Sequence, residues 1–171
     1  AAMDLGAWLS RALMAMGHPA ECDVQGSVPA DTHIRDYSDV DLLVLSRQVT
    51  TSDPFALRNL LGWIGLPASA ERSLQVLRRL RRALEAILSA KYPGLVDVSG
   101  SKAVRLGVEA EGYPTDVIAS HWHDTAAYDR SGQRAERGVV IFDTRAQATV
   151  EGAPFRHLTL LAERDGLSGG G

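Results

Sequence analysis

The sequence predicts an α+β fold, a mixed or antiparallel sheet with helices packed on one side. Three observations predict it. The stretch Glu71–Ala90 repeats apolar residues at intervals of three and four, the period of an amphipathic helix. Short apolar or alternating runs at 40–46, 103–110, 113–120 and 138–142 carry the period of strands. Helices and strands follow one another as helix, strand, strand, helices, hairpin, strand, helix, an order unlike strict βαβ alternation. The 171 residues are enough for one domain with a proper core. That domain is expected over 1–167, with 168–171 as a flexible Gly-rich tail. Hydrophobic content of 45% and 23% charged residues suit a globular protein. A net charge of −3 gives no global pull toward nucleic acid or membrane. The one cysteine, Cys22, excludes an internal disulfide and suits a reducing compartment, where it reads as a small buried residue. With no apolar run near membrane-span length and no signal peptide, the expected location is cytoplasmic.

Each element has a local reason. Asp4 is expected to cap a first helix built on Leu5, Trp8, Leu9, Ala12, Leu13 and Met16, which Gly17-His18-Pro19 ends. A strand over Glu21–Gln25 leads to a Gly26-Ser27 turn. After the loop Pro29–Ser38 comes the strand Val40–Ser46, then loop over Val49–Asp53. A short helix is expected over Phe55–Leu61, with Trp63 and Ile64 plugging the core. The long helix buries Leu74, Leu77, Leu80, Leu84, Ile87 and Leu88 and stops at Tyr92-Pro93-Gly94. Ala103–Ala110 and Tyr113–Ser120 form a hairpin around Glu111-Gly112. A strand Gly138–Phe142 ends at Asp143, and Pro154 precedes a last helix, Phe155–Arg164.

The chemistry concentrates around Gly26-Ser27 and, eleven residues later, Asp39-Val40-Asp41. Strand alternation puts Asp39 and Asp41 on one face and Val40, Leu42 and Val44 on the other. Paired carboxylates repel unless a cation stands between them, and Mg²⁺ suits hard oxygen donors, with Mn²⁺ able to replace it. Backbone N–H groups and a hydroxyl at a Gly-Ser turn suit a phosphate. Together they describe a nucleoside triphosphate site. Asp116, an acid inside an apolar strand, is the third candidate, because burial without a partner is costly. Pairing its strand beside Val40–Leu45 would bring three carboxylates around two divalent ions, with Asp116 taking a proton from an attacking hydroxyl. The arginines Arg72, Arg78, Arg79, Arg81 and Arg82 read as a solvated helix face in preference to a track for nucleic acid. A zinc site at His121-Trp122-His123-Asp124 is the weaker reading, since no further ligand set lies near; Trp122 reads either as sheet packing or as base-pocket lining.

Gly26-Ser27, the spacing, Asp39-Val40-Asp41 and Asp116 resemble the polymerase-beta-type nucleotidyltransferase superfamily. The fuller wording, with Thr32-x-Ile34 and Ser38-Asp39-Val40-Asp41, is most similar to the bacterial CD-NTases, relatives of oligoadenylate synthase. The resemblance runs from the first helix to Pro154-x-x-His157. It implies a nucleotidyltransferase core in which Gly26 and Ser27 contact the triphosphate, with Ser38 beside them as a further nucleotide-binding residue. It also implies that Asp39 and Asp41 bridge both ions and that Asp116 completes the catalytic one. The implied reaction joins a nucleotide to a hydroxyl and releases pyrophosphate, giving a cyclic or short oligonucleotide signal. Transfer to RNA or a protein hydroxyl, and nucleotide binding without turnover, are the alternative readings. The sequence departs from the family in two ways. Val28-Pro29-Ala30-Asp31 stands where a basic or aromatic residue is usual. The helical second lobe that follows Pro-x-x-His in the family is absent, so a truncated core or a protein partner completing the site is expected.

Overall fold

The computed structural model describes residues 2–25, 39–53 and 70–152. Helix α1 spans Ala2–Ala15 and buries Leu5, Leu9 and Leu13, one residue per turn on one face. Asp4 lies inside its first turn, where a carboxylate meets the positive end of the helix, and not at the cap expected from sequence. The helix closes where the His18 N–H reaches the Leu13 carbonyl at 2.9 Å, which Gly17 permits by taking φ +79°.

Strand β1 (Ala20–Gln25) pairs antiparallel with β2 (Val40–Ser52), from Ala20 opposite Ser46 to Gln25 opposite Asp41. The loop expected over Val49–Asp53 is strand as far as Ser52. A register shift between Ser46 and Thr51 absorbs the irregularity, and pairing resumes with Thr51 opposite His123. Burial of Val49 and a 2.8 Å bond between Thr51 Oγ1 and His123 Nδ1 hold that extension to the sheet.

Helix α2 covers Ala70–Lys91. Leu77, Leu80, Ala83, Leu84 and Leu88 form its buried stripe, and Arg72, Arg79 and Arg82 are exposed. Arg81 departs from the solvated face expected of these arginines, being only 1% exposed. Strands β3 (Val96–Asp97) and β4 (Ala103–Leu106) follow. The strand expected to reach Ala110 stops at Leu106, and Val108–Glu111 forms a single helical turn, α3, ended by Gly112 in the left-handed region at φ +86°. β5 (Thr115–Asp124) pairs antiparallel with β4, as the hairpin reading required, and runs four residues past Ser120. A short helix α4 (Ala126–Ser131), capped by Thr125, a 3₁₀ turn at Arg134–Glu136, β6 (Gly138–Asp143) and β7 (Ala148–Gly152) complete the described chain. Neither α4 nor β7 was expected from sequence. The expected loop 29–38, helix over Phe55–Leu61, core plugging by Trp63 and Ile64, last helix over Phe155–Arg164 and tail 168–171 fall outside the described residues.

The sheet is mixed. Its order is β1-β2-β5-β4-β3, with β6 on the second half of β5 and β7 on β6. Among the described residues, only β2 and β5 pair in parallel; the other pairs are antiparallel. Leu42, Val44, Val104, Leu106, Val117, Ala119, Val140 and Phe142 point to one face and pack with the buried stripes of α1 and α2. Each buried Leu or Val there contributes roughly 1.5–3 kcal/mol of transfer free energy before the entropy of ordering is set against it. The opposite face carries a smaller cluster of Leu43, Leu45, Trp122 and Val139.

Candidate active site

On that second face a single row of polar residues crosses five strands. In register order it reads Asp97 on β3, Arg105 on β4, Asp116 on β5, Asp41 on β2 and Gln25 on β1. Directly opposite residues share a face, so these five side chains stand side by side. The row exists because each strand alternates: Val104 and Leu106, Leu42, and Val117 turn into the helix-covered core and send their neighbours the other way. Asp39, just before β2, joins the row through a 2.9 Å ion pair between its Oδ2 and Arg105 Nη2. Arg105 Nε lies 3.9 Å from Asp116 Oδ1. The three acids expected to act together are thus brought to one place: Asp41 and Asp116 by direct pairing, Asp39 by the arginine that reaches both it and Asp116.

The electrostatics follow from three carboxylates and one guanidinium that reaches two of them, Asp39 and Asp116. Burial holds the Asp41 carboxyl above the ordinary carboxylate range, and the charges of Asp116 and then Asp39 push it further. Burial also raises Asp116; Arg105 works against that rise and Asp39 adds to it. A cation relieves both repulsions. The donor set, all carboxylate oxygen, is the chemistry that suits a divalent ion such as Mg²⁺ or Mn²⁺. Among the described residues, no group of three acidic, histidine or cysteine side chains is closed tightly enough to hold a metal ion as it stands. Arg105 spans two of the acids instead. Gly26, Ser27 and Ser38, expected to meet the nucleotide, lie outside the described residues; the chain reaches Gly26 directly from Gln25, the last residue of β1.

Three residues of the row, Asp97, Arg105 and Gln25, were missed by sequence reasoning. Arg105 sits among alternating apolar residues and carries no signal of its own until the register sets it beside Asp116. Gln25 is 7% exposed and its Nε2 has no hydrogen-bond partner among the described residues, a rare condition for a buried amide. Its position immediately before Gly26-Ser27 was the available clue.

The histidine segment is structural. His121 is fully buried, with Nδ1 2.8 Å from the Trp122 carbonyl and Nε2 2.6 Å from Ser73 Oγ. A carbonyl only accepts, so Nδ1 carries the proton, and Nε2 accepts from the Ser73 hydroxyl. Burial depresses the His121 pKa, the Trp122 carbonyl opposes this and His123 adds to it. Asp124 is bound by Arg137 Nε at 2.6 Å. Trp122 packs on the sheet, as one of its two readings had it: its indole N–H donates to Glu21 at 2.7 Å, and the Arg137 guanidinium lies 4.5 Å from its ring centre.

No protein-family model matches the chain. Individual proteins do. It is 32% identical over 157 residues to the cyclic dinucleotide synthase CdnE of Yersinia aleksiciae, covering 91% of this chain and 40% of that protein. It is 28% identical over 155 residues to a c-di-GMP synthase of a Lachnospiraceae bacterium, covering 81% of this chain and 44% of the relative. The chain therefore spans less than half the length of these curated relatives. Its fold matches that of a STING-associated CdnE c-di-GMP synthase from Flavobacteriaceae sp. with a TM-score of 0.77, at 19% identity over 98% of this chain and 50% of that one. A CdnE c-UMP-AMP synthase of Rhodothermus marinus, solved with Apcpp and Upnpp, matches with a TM-score of 0.57, at 20% identity over 90% of this chain and 51% of that one. On this homology and this fold, the chain belongs to the CD-NTases and aligns with the CdnE cyclic dinucleotide synthases among them.

Proposed function

We propose that the chain carries the catalytic core of a metal-dependent nucleotidyltransferase that builds a cyclic or short oligonucleotide from nucleoside triphosphates. The observation that carries this reading is the pairing of Asp41 opposite Asp116, with Asp39 tied to the same spot through Arg105. Asp39, Asp41 and Asp116 are the residues that would hold the divalent ions. Bound ions would supply the positive charge that sharpens an attacking hydroxyl and offsets the leaving pyrophosphate. Asp116 takes the proton of the attacking hydroxyl on a carboxylate oxygen. Gly26, Ser27 and Ser38 hold and orient the triphosphate, which enters from the β1 end of the row. The acceptor is the hydroxyl of a second nucleotide, in keeping with relatives named as dinucleotide synthases. A partner protein or a further segment of chain supplies the rest of the acceptor pocket.

The test is incubation with each labelled nucleoside triphosphate and Mg²⁺ or Mn²⁺, with and without tRNA. Released cyclic or short linear oligonucleotides are the expected product, with turnover lowered roughly a hundred-fold or more in Asp41→Asn and Asp116→Asn. Label on RNA or on protein points to the transferase alternatives. Triphosphate binding with no product in any combination overturns the catalytic reading.

A further inference from the structure

We propose that Arg105 is a built-in counter-ion of the acidic site and that loading a divalent cation hands its guanidinium over to Asp97. The inference rests on the reading of Asp39, Asp41 and Asp116 as metal ligands. It adds a placeholder role for an arginine outside that ligand set.

Arg105 is placed between two acidic partners. On one side its Nη2 and Nε reach Asp39 at 2.9 Å and Asp116 at 3.9 Å. On the other side Asp97 is its directly opposite neighbour on β3. A guanidinium and a divalent cation compete for the same carboxylate lone pairs and repel each other across a few ångströms. Both cannot sit on Asp39 and Asp116 at full strength. The arginine has the freedom to leave, because its side chain is 49% exposed and its stem is long. It also has somewhere to go. The Asp97 carboxylate is oriented by the Ser99 N–H, which donates to its Oδ1 at 2.8 Å. A cavity of about 590 Å³, lined by Asp97, Arg105, Leu106, Gly107, Glu109 and Pro114, opens on that side of β4. The short two-residue β3 thus has a purpose beyond pairing: it holds the receiving acid next to the arginine.

The test is Mn²⁺ binding to the nucleotide-free protein, read by electron paramagnetic resonance of the free ion and by calorimetry. Arg105→Gln removes the competitor and is expected to tighten Mn²⁺ binding about three- to ten-fold, the range set by losing one or two partly exposed ion pairs. Arg105→Lys keeps a competing charge and stays within about two-fold of the unmodified protein. Asp97→Asn takes away the receiving acid and weakens Mn²⁺ binding, although it never touches the ion. Should Arg105→Gln fail to fold, the Asp97→Asn result decides alone. Unchanged or weaker binding in Arg105→Gln, or unchanged binding in Asp97→Asn, overturns the handover while leaving the metal site standing. No binding by the unmodified protein, with none gained in Arg105→Gln, overturns both.

Discussion

Asp41 is the residue at which stability and chemistry oppose each other most directly. It is less exposed than Asp39, stands beside Asp116, and has its carboxyl held above the ordinary range by burial and by both neighbouring acids. A raised carboxyl means that the folded protein binds protons more readily than the unfolded chain over a window above the usual value near 3.8. Stability therefore falls as pH rises through that window. Asp41→Asn is expected to raise the metal-free Tm at pH 7 by about 1–2 °C, a small shift because solvent screens a half-exposed carboxyl. The gain should be smaller at pH 4, where the native carboxyl binds protons more fully than at pH 7. The same substitution should abolish nucleotidyl transfer. Thermal melts in EDTA at both pH values check the first part, and a loss of Tm at pH 7 would show that Asp41 is structural.

At the scale of elements, α2 packs against β5, the strand that carries Asp116. The buried pair of Ser73 on α2 and His121 on β5 is the polar rivet of that contact. Ser73→Ala strips the only donor from a buried imidazole nitrogen and should cost about 1–3 kcal/mol, read as a lower denaturation midpoint. Because burial depresses His121, the folded state binds fewer protons than the unfolded chain below the ordinary histidine value near 6.5. Stability carried by this pair is present above pH 6.5 and is lost as pH falls below it. His121→Gln should flatten that acid limb, and an unaltered limb would remove His121 as its cause. Arg81 fastens the middle of the same helix, with Nη2 donating to the carbonyls of Val98 at 3.2 Å and Gly100 at 3.0 Å, just ahead of β4. Much of this was legible. The period of α2, the alternation of β4 and β5, and the Asp39-Val40-Asp41 pair each sit within a few residues of sequence, and Asp116 stands out by its apolar flanks. Arg81, Ser73, Arg105 and Gln25 were not, because their meaning lies in partners across the fold. Among five arginines, Arg81 differs from the solvent-facing ones only in sharing its turn with Leu77 and Leu84. Likewise, the end of β4 at Leu106 depends on Gly107 opening a helical turn, which alternation up to Ala110 conceals.

For the whole molecule, the site is a property of the assembled sheet. Asp41 and Asp116 are far apart in sequence, and they meet through the parallel pairing of β2 with β5. β5 also carries β4 on its first half and β6 on its second, so one strand ties the acid row to both ends of the sheet. Loss of β5 pairing with β2 or with β4 undoes the row. Metal binding and global folding are then linked, because the unfolded chain holds no such constellation. Mn²⁺ at about 100 times its Kd should stabilise the protein by about 2.7 kcal/mol, and Asp41→Asn should lose that gain while still unfolding in one step. Urea unfolding followed by far-ultraviolet circular dichroism reports the sheet and helices. Tryptophan fluorescence reports, among other positions, Trp122 on the same face as the acids. Coincident transitions that move together with Mn²⁺ are the expected result. A fluorescence transition that shifts with the ion while the dichroism transition stays put would mean that the acidic row folds as a local unit, independent of the rest of the sheet.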